Sequence, residues 1–301
     1  MRIYWAGSST LVDDYIIKEH GNRLLTFAYP SDINRYLGKM ATITPNVKQN
    51  LIVDSGAFSV WAKGEVLSID DYLKFCLRMK DTFRDKFDRV DFVTLDVIPG
   101  VKNQTPNKVQ RNEAATEGLR NLDKMLKHFK PEELIHVHHM YEDIKVVDLI
   151  LERVNYMGVS PANDAHQNVK MKWMKDVFDY IPQGTQTHGF AVTAVDSIKE
   201  FPWTSVDSAS GILSAAMGSI MTPWGTMPVS IKSKGSKIFT AKHTSLNLIK
   251  YIKEMGCDPN AVATRHQDRF MMNAKFIRNL NIEINKTATT DKYVKKQTSL
   301  F

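Results

Sequence analysis

Eight short apolar runs recur along the chain: RIYWAG (2–7), RLLTFAY (23–29), LIVDS (51–55), VDFVTLD (90–96), LIHVHHM (134–140), NYMGVS (155–160), QTHGFAV (186–192) and SVDSA (205–209). Runs this brief, rich in β-branched and aromatic residues, read as buried strands. Amphipathic helical spacing fills most of the intervals. It is clearest in SIDDYLKFCLRMKDTFR, where Ser68 and Asp71 have capping-box spacing, in KVQRNEAATEGLRNLDKMLKHF, in EDIKVVDLILERV and in KMKWMKDVFDYI. Alternating strands and helices predict a parallel sheet, and eight strands predict its closure into a (β/α)₈ TIM barrel of class α/β. A doubly wound open sheet is the competing architecture, but no strand runs into GxGxxG or GxxxxGK(S/T).

After the eighth run comes GILSAAMGSIMTPWGTMPVSIKSKGSK, rich in Gly, Ser, Met and Pro, which reads as a long irregular stretch. Two helical patterns follow, SLNLIKYIKEMG and a longer one from about Asn260 to Leu280. Residues 1–230 are therefore expected to form the barrel core, and 231–301 the last barrel helix with a C-terminal extension of the same domain.

With 301 residues and 43% hydrophobic content, one full barrel core is within reach. No apolar stretch approaches the roughly 18 residues of a membrane span, and MRIYWAGSST lacks the layout of a secretory signal. A soluble, cytoplasmic protein without membrane attachment is expected. Cys76 and Cys257 are isolated, so neither a disulfide framework nor a zinc cluster is expected. The net charge of +7 is unevenly placed: residues 231–301 carry 14 Lys and Arg against 5 Asp and Glu, leaving −2 for the rest. A solvated helical surface explains that excess as well as a polyanion-binding face does. Lys232, Lys234, Lys237, Arg265 and Arg269 are the candidate phosphate contacts.

Chemistry concentrates at the ends of the strands. Asp54 opens DSGAF, with Gly56 permitting a tight turn and Phe58 following. Asp96 lies in LDVIPG, and Asp207 in SVDSAS, where Ser205, Ser208 and Ser210 are candidate donors to its carboxylate. Singly, each is most simply a turn or N-cap aspartate. Together, at the ends of strands three, four and eight, they would meet on the carboxyl face of a barrel, where active sites are built. In HVHH, strand alternation puts His136 and His138 on one face and His139 on the other, so the three cannot share one metal without distortion. No metal is expected, although a metal-dependent hydrolase drawing on Asp96 or His188 stands as a reading of another class. A catalytically inert nucleic-acid-binding barrel is a third.

The ordered set DSGAFS, TLDVIPG, YMGVSPAN, THGFAVT and FPWTSVDS resembles the phage and bacterial DNA guanine transglycosylases known as DpdA, of the tRNA-guanine transglycosylase superfamily. The likeness spans about Trp5 to Ser210. It implies a TIM barrel that exchanges guanine in DNA for a 7-deazaguanine such as preQ0, without a cofactor, through an aspartyl-glycosyl intermediate. By that resemblance Asp207 is the nucleophile and Asp54 the general acid/base. Asp96, His138 or His139 and Gly158 match its base-contacting positions; Ser55, Gly56, Phe58 and His188, the last a core histidine or a support of the pocket wall, are further candidates around the base. DNA and the free base are the implied partners, a homodimer is possible, and the setting is cytoplasmic, that of a bacterial host if phage-encoded. A tRNA-guanine transglycosylase is the alternative within the superfamily. The chain departs from the tRNA enzymes in lacking their cysteine-rich zinc site and the arginines after the nucleophile, and Gly211 replaces the tryptophan common after the DNA-type motif.

Overall fold

The computed structural model describes residues 1–7, 10–101, 104–192, 194–231 and 242–287. Eight parallel strands close into a barrel in sequence order: β1 (Arg2–Trp5), β2 (Asn22–Thr26), β3 (Asn50–Asp54), β4 (Arg89–Val93), β5 (Leu134–His139), β6 (Tyr156–Ser160), β7 (Gln186–Gly189) and β8 (Ser205–Ser208). The ring is sealed where β8 pairs with β1 in register, Tyr4 opposite Asp207. All eight predicted runs are barrel strands.

Helices alternate with the strands: α1 (Pro30–Met40), α2 (Ile69–Phe83), α3 (Lys108–Met125), α4 (Val146–Leu151), α5 (Gln167–Tyr180), α6 (Val195–Glu200) and α7 (Ser210–Ala216). Their starts carry the expected chemistry. Ser68 Oγ accepts the Asp71 amide at 3.3 Å, and Asn107 with Gln110 forms a reciprocal capping box at the head of α3. Strand alternation sorts the core into two layers. Tyr4, Leu24, Ile52, Val93, Ile135, Val137 and Tyr156 fill the barrel interior, while their neighbours in sequence pack outward against the helices.

The stretch after β8 is more ordered than its composition suggests. After α7 it folds into an antiparallel hairpin, β9 (Ser219–Thr222) and β10 (Gly225–Pro228), whose tight reversal uses Gly225 at φ 106°. The expected single helix from about 260 to 280 is divided into α9 (Pro259–Thr264) and α10 (His266–Thr287), because Arg265 takes extended geometry (φ −114°, ψ 129°). With α8 (Lys242–Glu254), they enclose a small core of Ile220, Val229, Leu248, Ile252, Val262, Ala263 and Met272. The long α10 then lies across β1 and α7 and completes the helical ring. No helix among the described residues is long and apolar enough to cross a membrane.

Candidate active site

The three aspartates meet. Asp54, Asp96 and Asp207 line one cavity of about 330 Å³ at the carboxyl face of the barrel, together with Gly56, Phe58, Trp61, His139 and Phe190. Period-2 alternation explains most of the convergence. Asp54 follows inward-facing Ile52 by two residues, His139 follows Val137, and Asp207 shares its face with Ser205. Asp96 arrives differently, since β4 ends at Val93 and the chain turns before the carboxylate.

Each carboxylate has its own environment. Asp54 Oδ2 accepts the Gly56 amide at 3.0 Å. Burial, then the neighbouring Asp96 charge, pushes Asp54 up to about 7. Gly56 has φ 79°, and a Cβ there would stand 2.6 Å from Ala28 Cβ, so the turn that delivers this amide requires glycine. Asp96 is tied down on both oxygens. Ser55 Oγ donates to Oδ1 at 3.2 Å and His139 Nε2 lies 2.8 Å from Oδ2. Burial opposes its ionisation, but the hydrogen bond and charge of His139 outweigh it and hold Asp96 below the ordinary carboxylate range. Reciprocally, although burial disfavours the charged ring, Asp96 raises His139 above its ordinary value. The cavity therefore presents one carboxyl poised near neutrality beside an ionised carboxylate paired with a histidine.

Asp207 is 7% exposed, and its Oδ1 accepts the Ala191 amide at 2.9 Å. His188 Nε2 lies 3.4 Å from the same oxygen. Oδ2 takes no hydrogen bond from a described residue. The serines flanking Asp207 do not reach it. Ser208 Oγ pairs with Ser210 Oγ at 2.6 Å on the opposite side of the strand, and Ser205 Oγ is engaged by His188 and Tyr156. The expected hydroxyl cradle is replaced by a backbone donor, with the His188 ring nearby.

Among the described residues, two that are not glycine have left-handed backbones, Tyr141 (φ 83°) and Ala191 (φ 52°), and both line the cavity. Such conformations are disfavoured for side chains with a Cβ and concentrate at functional sites.

The remaining sequence candidates divide. His139 is the strand-five histidine at the cavity. His138 faces the helix layer, stacked on Trp173 with ring centroids 5.8 Å apart and Nδ1 3.1 Å from Glu142. His136 is also outward, bonded to Thr94 Oγ1 at 2.6 Å, and burial pushes it down to about 4. Ser55 stands behind Asp96 as its donor. Gly158 is inside β6 rather than at the cavity wall, and a Cβ there would meet Phe190 Cε2 at 2.6 Å, so its role is to admit the Phe190 ring. His188 sits beneath the cavity floor, edge-on to Phe190 at 4.5 Å. Arg269 is corrected from a phosphate contact to an internal brace: it is 5% exposed, and its guanidinium donates to the carbonyls of Ala215 and Val262, each at 3.0 Å. Arg265 is largely exposed and pairs with Asp268 at 2.7 Å. Lys232, Lys234 and Lys237 lie outside the described residues.

Sequence reasoning overlooked Ala191, Phe190 and Tyr141. No residue-type signal marks an alanine amide as a carboxylate donor, although Phe190 adjoins a glycine in an inward-facing strand. Among the described residues, no three His, Cys, Asp or Glu side chains are grouped to hold a metal ion. No family model matches the chain, and no curated protein matches it.

Proposed function

We propose that the protein is a DNA guanine transglycosylase, exchanging guanine in DNA for a 7-deazaguanine base of the preQ0 type. The observation that carries this reading is the division of labour among three carboxylates in one cavity roomy enough for a nucleoside: one poised near neutrality, one held ionised, and one held by a backbone amide on a single oxygen.

In this reading, Asp207 Oδ2 attacks C1′ of a deoxyguanosine. The C1′–N9 bond breaks, its electron pair leaves with guanine, and the Asp54 carboxyl proton passes to the departing base. The Asp54 carboxylate then takes N9–H from the incoming 7-deazaguanine. N9 attacks C1′ and expels Asp207, so two displacements retain the anomeric configuration. Asp96, fixed by Ser55 and His139, accepts hydrogen bonds from the base edge, while Phe58, 49% exposed at the mouth, offers a stacking surface. A stacked base cannot reach the floor of this cavity, so the nucleotide must be flipped or presented in a single strand.

Incubating the protein with DNA and isotope-labelled guanine or preQ0, then digesting the DNA and analysing its nucleosides, tests the reading. Label in a DNA nucleoside is expected. Label only in a parallel tRNA sample would move the activity to the RNA branch, and label in neither would sink the proposal.

A further inference from the structure

Three polar side chains fill the barrel axis beneath Asp207: Tyr156 on β6, Ser205 on β8 and His188 on β7. All are 1% exposed or less. The first two links are hydrogen bonds, the Tyr156 hydroxyl with Ser205 Oγ and Ser205 Oγ with His188 Nδ1; beyond them the buried His188 Nε2 has no hydrogen-bond partner among the described residues and stands 3.4 Å from Asp207 Oδ1. Tyr4, Tyr156 and Phe190 surround the imidazole edge-on, at centroid distances of 6.0, 6.5 and 4.5 Å.

We infer that Tyr156 and Ser205 fix His188 as its Nε2–H tautomer, making it a positioning residue that, with the Ala191 amide, locks Oδ1 of Asp207 and leaves Oδ2 to face the substrate. This role rests on Asp207 being the nucleophile of the proposed exchange.

The direction of the chain follows from counting protons. An uncharged imidazole has one donor and one acceptor nitrogen. Were the proton on Nδ1, the Nε2 lone pair would oppose a carboxylate oxygen, and repulsion would force the two apart. With the proton on Nε2, Nδ1 must accept, so the Ser205 hydroxyl donates to it. That leaves the Ser205 oxygen to accept from Tyr156. Two features of Tyr156 agree: burial, with Asp91 nearby, raises its phenol and keeps it protonated, and the Arg2 guanidinium beside it has no acceptor atom. The phenol proton is thus available to Ser205. Register reinforces the arrangement, since His188 pairs directly with Ser205 across β7 and β8. His188 and Ala191, three residues apart, then both lie at the same oxygen, Oδ1 of Asp207. A carboxylate held by one oxygen attacks with the other from a defined angle, and a misplacement of about 1 Å costs on the order of 100-fold in rate.

The test has two readouts on the full-length chain. Without DNA, long-range ¹H–¹⁵N spectra of protein labelled at histidine nitrogen, assigned by the signal lost in His188→Gln, report the tautomer. An Nε2–H signature that becomes mixed in Ser205→Ala is expected, whereas a dominant Nδ1–H form or a ring carrying both protons overturns the inference. With DNA and free base, Ser205→Ala is expected to lower kcat about 10-fold and His188→Leu about 100-fold, with KM for DNA little changed. His188→Gln, whose amide restores an N–H toward Asp207, is expected to recover most of that loss. Wild-type kcat in both Ser205→Ala and His188→Leu overturns the positioning role. Should His188→Leu fail to fold, Ser205→Ala and His188→Gln decide between the same outcomes. Wild-type protein inactive on DNA and tRNA would count against the exchange reaction, and the tautomer spectrum would still judge the proton arrangement.

Discussion

Asp54 is held at a cost to the fold. Its carboxyl ionises at about 7 in the folded protein against an ordinary value of 3.8, a difference of about 4 kcal/mol before solvent screening. Because the folded value is the higher, the protonated group favours the folded state below the ordinary value. That contribution is lost as pH rises through 7. Asp54→Asn removes this dependence. The variant is expected to be ~2–4 kcal/mol more stable than wild type at alkaline pH, with the advantage shrinking to near zero toward pH 4, while exchange activity collapses. Urea midpoints measured across pH check it, and a variant no more stable at alkaline pH would show that the site does not destabilise the ionised carboxylate. The two members of the neighbouring pair have signs opposite to each other. His139 is raised, so its contribution is full below its ordinary value and lost as pH rises through the folded one. Asp96 is lowered, so its contribution holds above the ordinary carboxylate value and is lost as pH falls through the folded one. Asp96→Asn is therefore expected to move the His139 NMR titration to lower pH, since burial is then opposed only by the Glu142 charge.

At the scale of elements, strand parity links what was legible to what was not. Short apolar runs identified all eight barrel strands, and within them parity carries Asp54, His139 and Asp207 inward without further information. Parity also separates His139 from His138 once the end of β5 is fixed. It fails for Asp96, which lies beyond the last residue of β4. Ser208 misled because adjacency in sequence is opposition across a strand, and Ser205, on the same face as Asp207, because His188 and Tyr156 engage its hydroxyl. The β9–β10 hairpin was hidden by TPWGT, where Pro and Gly signalled a loop and masked two short runs whose partners are each other. The least legible element is the Gly158–Phe190 contact, where a missing side chain on β6 makes room for a ring after β7. Gly158→Ala is expected to destabilise the fold by about 1–3 kcal/mol and push Phe190 into the cavity. In a Phe190→Ala background the same substitution is expected to be nearly neutral, so a double-mutant cycle in urea reads the contact directly. Additive effects would mean that the ring and the glycine do not share the space.

For the whole molecule, the question the proposed reaction raises is how a barrel with a net charge of −2 over residues 1–230 would grip DNA, and the C-terminal segment holds the excess positive charge. Part of that charge is internal architecture. Arg269 reaches from α10 to carbonyls at the ends of α7 and α9, joining the last helix to the small core beside the barrel. Arg265, at the break between α9 and α10, leaves its guanidinium largely in solvent. Charge reversal separates the two roles. Arg265→Glu is expected to keep the urea midpoint, within roughly 0.5 kcal/mol of wild type, while weakening DNA binding and reducing the slope of log K against log salt by about 1. Arg269→Glu removes two charge-assisted hydrogen bonds and sets a carboxylate against carbonyl oxygens, so a stability loss of about 3 kcal/mol or more is expected. Its DNA affinity should fall only to the extent that the protein unfolds. Paired measurements of urea midpoint and salt-dependent DNA binding decide the assignment: a fully stable Arg269→Glu protein with selectively weakened DNA binding would return Arg269 to the docking surface, and an unchanged salt slope in Arg265→Glu would move that surface away from the α9–α10 break.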